Sequence, residues 1–122
     1  MKVKDIMNTS LVTVGRKDDV RTAARLMNET GVGSVAVTET DGGIAGIITD
    51  GDIRRAMQKW QAEFFDHTVA DIMTREPKTV LPNVKVSEIQ RIMHRYKIHS
   101  VLVCDKEKRL LGIVDSYASS ML

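Results

Sequence analysis

Hydrophobic and polar positions along this chain change period several times, and they do so twice in the same order. Leu11 to Val14 is a short apolar stretch that predicts a strand. Val20, Ala23, Ala24 and Met27 then recur at helical spacing behind a capping carboxylate at Asp18 or Asp19. Val35 and Val37 alternate, Asp41-Gly42-Gly43 supplies residues that tolerate a positive φ, and Ile44 to Thr49 returns as a second strand, so this pair is a hairpin. Asp50 or Asp52 opens a further helix whose apolar side is Ile53, Ala56, Met57 and Trp60, again at i, i+3, i+4 and i+7. The predicted order is β-α-β-β-α.

The second half repeats it. With Val69 set on Val3 and no gap thereafter, Val3-Lys4-Asp5-Ile6-Met7 meets Val69-Ala70-Asp71-Ile72-Met73, and Gly46-Ile47-Ile48 meets Gly112-Ile113-Val114. Thr13-Val14 falls on Thr79-Val80, Met27 on Met93, and Ser34-Val35-Ala36-Val37 on Ser100-Val101-Leu102-Val103. The second helix stripe is Val86, Ile89 and Met93, Pro82 interrupts after Val80, and the hairpin turn becomes Asp105-Lys106-Glu107-Lys108. The expected organisation is repeat 1 over 1–56, a linker and helix extension over 57–68, and repeat 2 over 69–122. A unit of this size buries too little surface to be comfortable alone, so the copies are expected to share a core in one compact domain of mixed α/β (α+β) class.

Composition changes the picture only by exclusion. The net charge is +2 and the basic residues are interspersed with Asp and Glu, which gives no general affinity for nucleic acid or anionic membrane. One Trp, two Tyr and two Phe leave little for stacking bases. The single cysteine, Cys104, sits in an apolar run and reads as a structural thiol, and the methionines at matched apolar positions read as core fillers. No apolar run is long enough to span a bilayer and Met1 to Ser10 lack a signal-peptide core, so the expected location is the cytoplasm.

The chemistry concentrates at the second strand-to-helix junction. Thr49 ends a strand and Asp52 follows three residues later in the first helical turn, so both side chains and the exposed amides of that turn converge on one cleft. A carboxylate repels phosphate. If Asp52 meets a nucleotide, it accepts hydrogen bonds from the ribose hydroxyls and leaves Thr49 and the helix amides to donate to phosphate. The competing reading is a plain helix cap worth about 1 kcal/mol.

These residues resemble the tandem cystathionine-beta-synthase (CBS) domain pair, or Bateman module, over essentially the whole chain. The specific part is Gly46-Ile47-Ile48-Thr49-Asp50-Gly51-Asp52, similar to the family's nucleotide motif of Gly, two apolar residues, Thr or Ser, two variable residues and Asp. The resemblance implies two repeats related by a pseudo-twofold axis and a regulatory ligand of the AMP, ATP or S-adenosylmethionine class, with no cofactor required. It also implies a cleft between the copies. Lys97-Ile98-His99 stands where repeat 1 has Gly31-Val32-Gly33, and it resembles the Lys-Ile-His stretch of AMP-activated kinase gamma subunits. Carried over, Lys97 and His99 face the phosphates of a ligand held by Thr49 and Asp52, and adenine lies against Ile47 and the Lys78-Thr79-Val80 strand. The second copy departs from the motif: Asp115 and Ala118 replace Thr49 and Asp52, so at most one good site per chain is expected.

Other readings are weaker. An enzyme is not expected, since there is no Ser or Cys nucleophile placed with a His, no metal-ligand cluster around His67 or His94, and no Gly-x-x-x-x-Gly-Lys loop. Thr49 to Arg55 also resembles the CBS tail of sugar-phosphate isomerases of the arabinose 5-phosphate type, but the isomerase domain has no counterpart in this sequence. Arg54 and Arg55 follow Asp52 in the helix, within reach of a phosphate or a neighbouring chain, but read first as solvated helix surface. The alternative function is a dimerisation or partner-docking module with a vestigial site, in which Met57, Trp60, Met121 and Leu122 pack between chains. The partners expected are therefore an adenosyl small molecule, a second copy as a homodimer and an effector protein, without membrane or nucleic acid.

Overall fold

Two three-stranded sheets, each with the order outer parallel strand, central strand, antiparallel hairpin partner, carry the described part of the chain. The computed structural model describes residues 1–116. The first sheet holds β1 (Thr13–Val14), β2 (Ser34–Thr38) and β3 (Ile44–Thr49), with α1 (Val20–Thr30) connecting β1 to β2 and α2 (Asp50–Trp60) following β3. A 3-10 stretch, Gln61–Asp66, and a one-turn helix α3 (Val69–Ile72) lead to β4 (Thr79–Val80). Then come α4 (Val86–Tyr96), β5 (Ser100–Cys104) and β6 (Leu110–Asp115). The order β-α-β-β recurs, and in repeat 1 α2 completes the predicted unit. The residues after Ser116, among them Ala118, Met121 and Leu122, lie outside the described residues.

The chain divides into two compact units that do not follow the repeats. One is Val12–Glu76; the other joins Met1–Leu11 to Pro77 onward. Each unit therefore contains the lead segment of the other repeat. Backbone hydrogen bonds fix both exchanges: Val69 N donates to Asp18 O at 2.8 Å in the first unit, and Val3 N donates to Val84 O at 2.8 Å in the second. Among the described residues, buried side chains form two clusters, one in each unit. Val69, Ile72 and Met73 join Val14, Val20, Val37 and Ile48 in the first, and Val3 joins Ile89, Val101, Val103 and Val114 in the second. The copies depend on each other through the lead segments each contributes to the other's core.

The lead segments are built alike. Asp5 accepts from Lys2 N at 2.9 Å and Asp71 accepts from Thr68 N at 3.1 Å, each carboxylate closing the turn three residues before it. The expected cap of α1 is Asp19, which accepts from Arg21 N at 2.7 Å, while Asp18 takes Gly15 N at 2.8 Å. Gly42 turns the first hairpin at φ 89°. The first strand is shorter than expected, because Leu11 N donates to Thr9 O in a local turn and only Thr13 and Val14 pair with Ala36 and Val37. Met27, Met73 and Met93 are buried, as is the free thiol of Cys104. No described helix is long and apolar enough to cross a membrane.

Candidate functional site

The first unit's site begins with a glycine. An added Cβ at Gly46 would stand 2.6 Å from Thr74 O and 2.9 Å from Met73 Sδ, so only glycine lets the lead segment cross β3 there. The crossing is an antiparallel bridge: Thr74 N donates to Ile47 O at 2.8 Å and Ile47 N to Thr74 O at 3.0 Å. This closes the open edge of β3. It also sets Thr74 beside the end of the strand.

At that end Thr49 is extended (φ −116°, ψ 166°) and caps α2. Its Oγ1 accepts from Asp52 N at 3.2 Å, and Asp52 Oδ2 accepts from Thr49 N at 2.9 Å, a reciprocal capping box. Thr49 Oγ1 also donates to Asp52 Oδ2 at 3.0 Å. Thr74 Oγ1 donates to Asp52 Oδ1 at 3.0 Å, and Arg55 Nη2 donates to the same oxygen at 2.9 Å. Asp52 is only 8% exposed, so this first-turn carboxylate is buried with four donors directed at it. Its negative charge also suits the amino end of a helix. Ionised, it has about four lone-pair directions, which the four donors fill.

Two of those donors were not anticipated. Thr74 lies 22 residues from Asp52 in sequence, and only the lead-segment exchange brings them together. Arg55 fits both the solvated surface and the phosphate reach that the sequence offers it, with its side chain 70% exposed, but its guanidinium is paired with Asp52 at the i, i+3 spacing that brings helix side chains together. It folds back over Gly51, where an added Cβ would stand 2.9 Å from Arg55 Nη1.

Thr49, Asp52 and Ile47 are thus neighbours in one unit, Ile47 being buried with both backbone groups engaged by Thr74. An open groove of about 350 Å³ on the same unit is lined by Met27, Asn28, Gly31, Gly33, Asp50 and Ile53 among others, and by neither Thr49 nor Asp52.

The remaining residues singled out from sequence belong to the other unit. Thr79 and Val80 pair in parallel with Leu102 and Val103, and Lys78 O accepts from Leu102 N at 3.2 Å. The Lys78 ammonium lies 4.0 Å from the centre of the Tyr96 ring, a cation on an aromatic face. Lys97 ends α4 in the left-handed region (φ 54°, ψ 46°), the conformation that Gly31 adopts after α1. Its side chain is exposed, as is that of His99, whose carbonyl accepts from Ser116 N at 2.8 Å. Asp115 ends β6 opposite Ser100, as Thr49 ends β3 opposite Ser34.

The apolar stripe of α2 places Trp60 toward a core, and only the alternative docking reading sets it on an exposed face. The stripe holds: Trp60 packs against its own unit's core and stacks on His67, ring centres 3.6 Å apart and planes 17° from parallel. His67 Nδ1 is 3.0 Å from Asp71 Oδ2. The Thr68 amide, then His67, hold the Asp71 carboxyl below its ordinary value. Met57 does remain exposed. Among the described residues no group of His, Cys, Asp and Glu is arranged to hold a metal ion.

Comparison with known proteins follows this architecture. The profile of the CBS domain family matches residues 3–59 and 69–117. The probable arabinose 5-phosphate isomerase of Haemophilus influenzae is 38% identical over 114 residues, which are 93% of this chain and 34% of that protein. The arabinose 5-phosphate isomerase KpsF of Escherichia coli O6:H1 is 33% identical over 113 residues, with the same coverage of 93% and 34%. The chain thus spans about a third of the length of these curated relatives. Among solved structures, the CBS domain pair of MJ0100, in complex with 5′-methylthioadenosine and S-adenosyl-L-methionine, superposes with a TM-score of 0.90 at 29% identity, covering 99% of this chain and 94% of that one. CBSX2, in complex with AMP, shares the fold at a TM-score of 0.86 and 23% identity, covering 98% and 93%.

Proposed function

Because the chain belongs to the CBS domain family and carries two such domains in tandem, we propose that it is a regulatory module that senses an adenine nucleotide or adenosyl compound through Asp52 of its first repeat. The observation that carries this reading is the buried carboxylate of Asp52, met by donors from Thr49, Thr74 and Arg55. A carboxylate so placed exchanges protein donors for the 2′ and 3′ hydroxyls of a ribose at little net loss of hydrogen bonds. The MJ0100 pair, crystallised with two adenosyl compounds, supports that ligand class. Thr49 and the first amides of α2 are the donors assigned to phosphate or another anionic group. Ile47, Lys78, Thr79, Val80, Lys97 and His99 retain the adenine and phosphate roles that the family resemblance implies for them. Signalling follows from population shift: the ligand favours the arrangement it binds best, by no more than its differential affinity. The isomerase names of the longer relatives suggest that the module regulates a sugar-phosphate enzyme.

Equilibrium binding of an adenosyl ligand and its 2′,3′-dideoxy analogue tests the ribose assignment. The analogue should bind at least about tenfold more weakly, since two hydrogen bonds to a charged acceptor are lost. Equal binding removes Asp52 from the site. A second reading, a dimerisation or docking module with a vestigial site, is favoured by one observation: the acceptors of Asp52 are already filled by the protein's own donors.

A further inference from the structure

That filling points to a role for Arg55, and the inference rests on the ribose reading of Asp52. A diol can bind Asp52 only by displacing donors. The two from Thr49 belong to the helix cap, and removing them would open the capping box of α2. The two others are dispensable. Thr74 is an exposed residue whose hydroxyl can rotate, and Arg55 is a 70% exposed side chain whose surface ion pair is weak.

The geometry points to Arg55 as the specificity-determining residue of the site: its guanidinium holds the place of the ribose diol on Asp52, and once displaced it pairs with the ligand's anionic group. Gly51 gives the guanidinium its resting place, because Nη1 lies where a side chain at that position would begin. After displacement the guanidinium remains tethered one turn from Asp52, within side-chain reach of the 5′ substituent of a ribose seated there. Phosphate offers it a bidentate partner, and a neutral substituent offers none. A neutral nucleoside must therefore evict Arg55 without recompense, while a phosphorylated one regains the charge pair. The site should select phosphorylated adenosyl compounds over neutral ones.

Two substitutions separate the two halves of this exchange. Arg55→Ala removes both the competitor and the phosphate partner. Gly51→Ala displaces the guanidinium without deleting it, since the clash falls on the mobile end of a side chain. Calorimetric titration of wild type, both variants and an Arg54→Ala control with adenosine and with AMP reads the outcome. In Arg55→Ala, adenosine should tighten about two- to fivefold, the scale of a surface ion pair. AMP should weaken about tenfold, the scale of a charge-assisted bond. In Gly51→Ala adenosine should tighten likewise while AMP keeps its advantage, and Arg54→Ala should leave the ratio unchanged. Arg55→Ala shifting both ligands alike, or neither, overturns the role of Arg55 while diol-dependent binding stands. If wild type binds neither compound, or binds 2′,3′-dideoxyadenosine as well as adenosine, the ribose reading fails and this inference fails with it.

Discussion

Replacing Asp52 with alanine should cost stability as well as binding. Were Asp52 a ribose acceptor and nothing more, Asp52→Ala would abolish binding and leave the fold intact. The structure gives it a second role, because the same carboxylate closes the capping box of α2 and ties Thr74 to the end of β3. The box contributes about 1 kcal/mol. The bond from Thr74 to a charged, buried acceptor contributes about another, and Arg55, largely in water, adds little. A loss of about 2 kcal/mol is expected, which in a chain of 122 residues lowers the melting temperature by about 6 to 10 °C. Thermal unfolding followed by far-ultraviolet circular dichroism measures it without ligand. Asp52→Asn keeps one carbonyl acceptor and should lose about half as much. An Asp52→Ala protein that melts within about 1 °C of wild type would refute the network as a source of stability and leave its hydrogen bonds energetically idle.

Other substitutions test the local geometry. Gly46→Ala drives a methyl group into the Thr74 carbonyl at 2.6 Å, which cannot give way without breaking the bridge to Ile47, so a loss of about 3 kcal/mol is expected. Gly112→Ala meets the flexible Met7 Sδ at 2.7 Å and the bridging Asn8 carbonyl only at 3.1 Å, and should cost about 1 kcal/mol; denaturant titrations giving the opposite order would contradict this account. Lys97→Gly relieves a left-handed backbone and should stabilise the protein by about 0.5 to 1 kcal/mol while weakening AMP binding. Asp71 carries a carboxyl held below its ordinary value of 3.8, so its contribution is fully present above that value and is lost as pH falls through the lower folded one. The difference in melting temperature between wild type and Asp71→Ala should therefore shrink as pH drops below about 4, and a constant difference would remove the Thr68 and His67 bonds from the ledger.

Much of this was legible in the sequence because the signals are local and repeated. The hairpin at Asp41-Gly42-Gly43 is formed by residues suited to its turn, the Asp19 cap precedes its helical stripe, and the ungapped register carries the hairpin, though not the cap, into the second copy, where Lys85 stands at the position of Asp19 and gives α4 no side-chain cap. What was hidden depends on distant segments. Nothing near Val69 to Thr74 in sequence says that this stretch joins Val12 to Trp60, or that its backbone is what excludes a side chain at Gly46. The same holds for Thr74 on Asp52. Arg55 was closer to view, since i, i+3 spacing from an aspartate is an ion-pair signal, but exposure argued the other way. Trp60 followed the apolar stripe of α2 correctly; that the 3-10 stretch after it would bring His67 onto its ring was not encoded in that stripe.

Thermal unfolding with AMP, ADP, ATP and S-adenosylmethionine in turn, in wild type and Asp52→Ala, tests the sensing claim most directly. A ligand at about a hundred times its dissociation constant adds about 2.7 kcal/mol, enough to raise the melting temperature by several degrees. The account predicts such a rise with a phosphorylated adenosyl compound in wild type, and none in Asp52→Ala relative to its own ligand-free value. No rise with any compound, or an equal rise in both proteins, would contradict it.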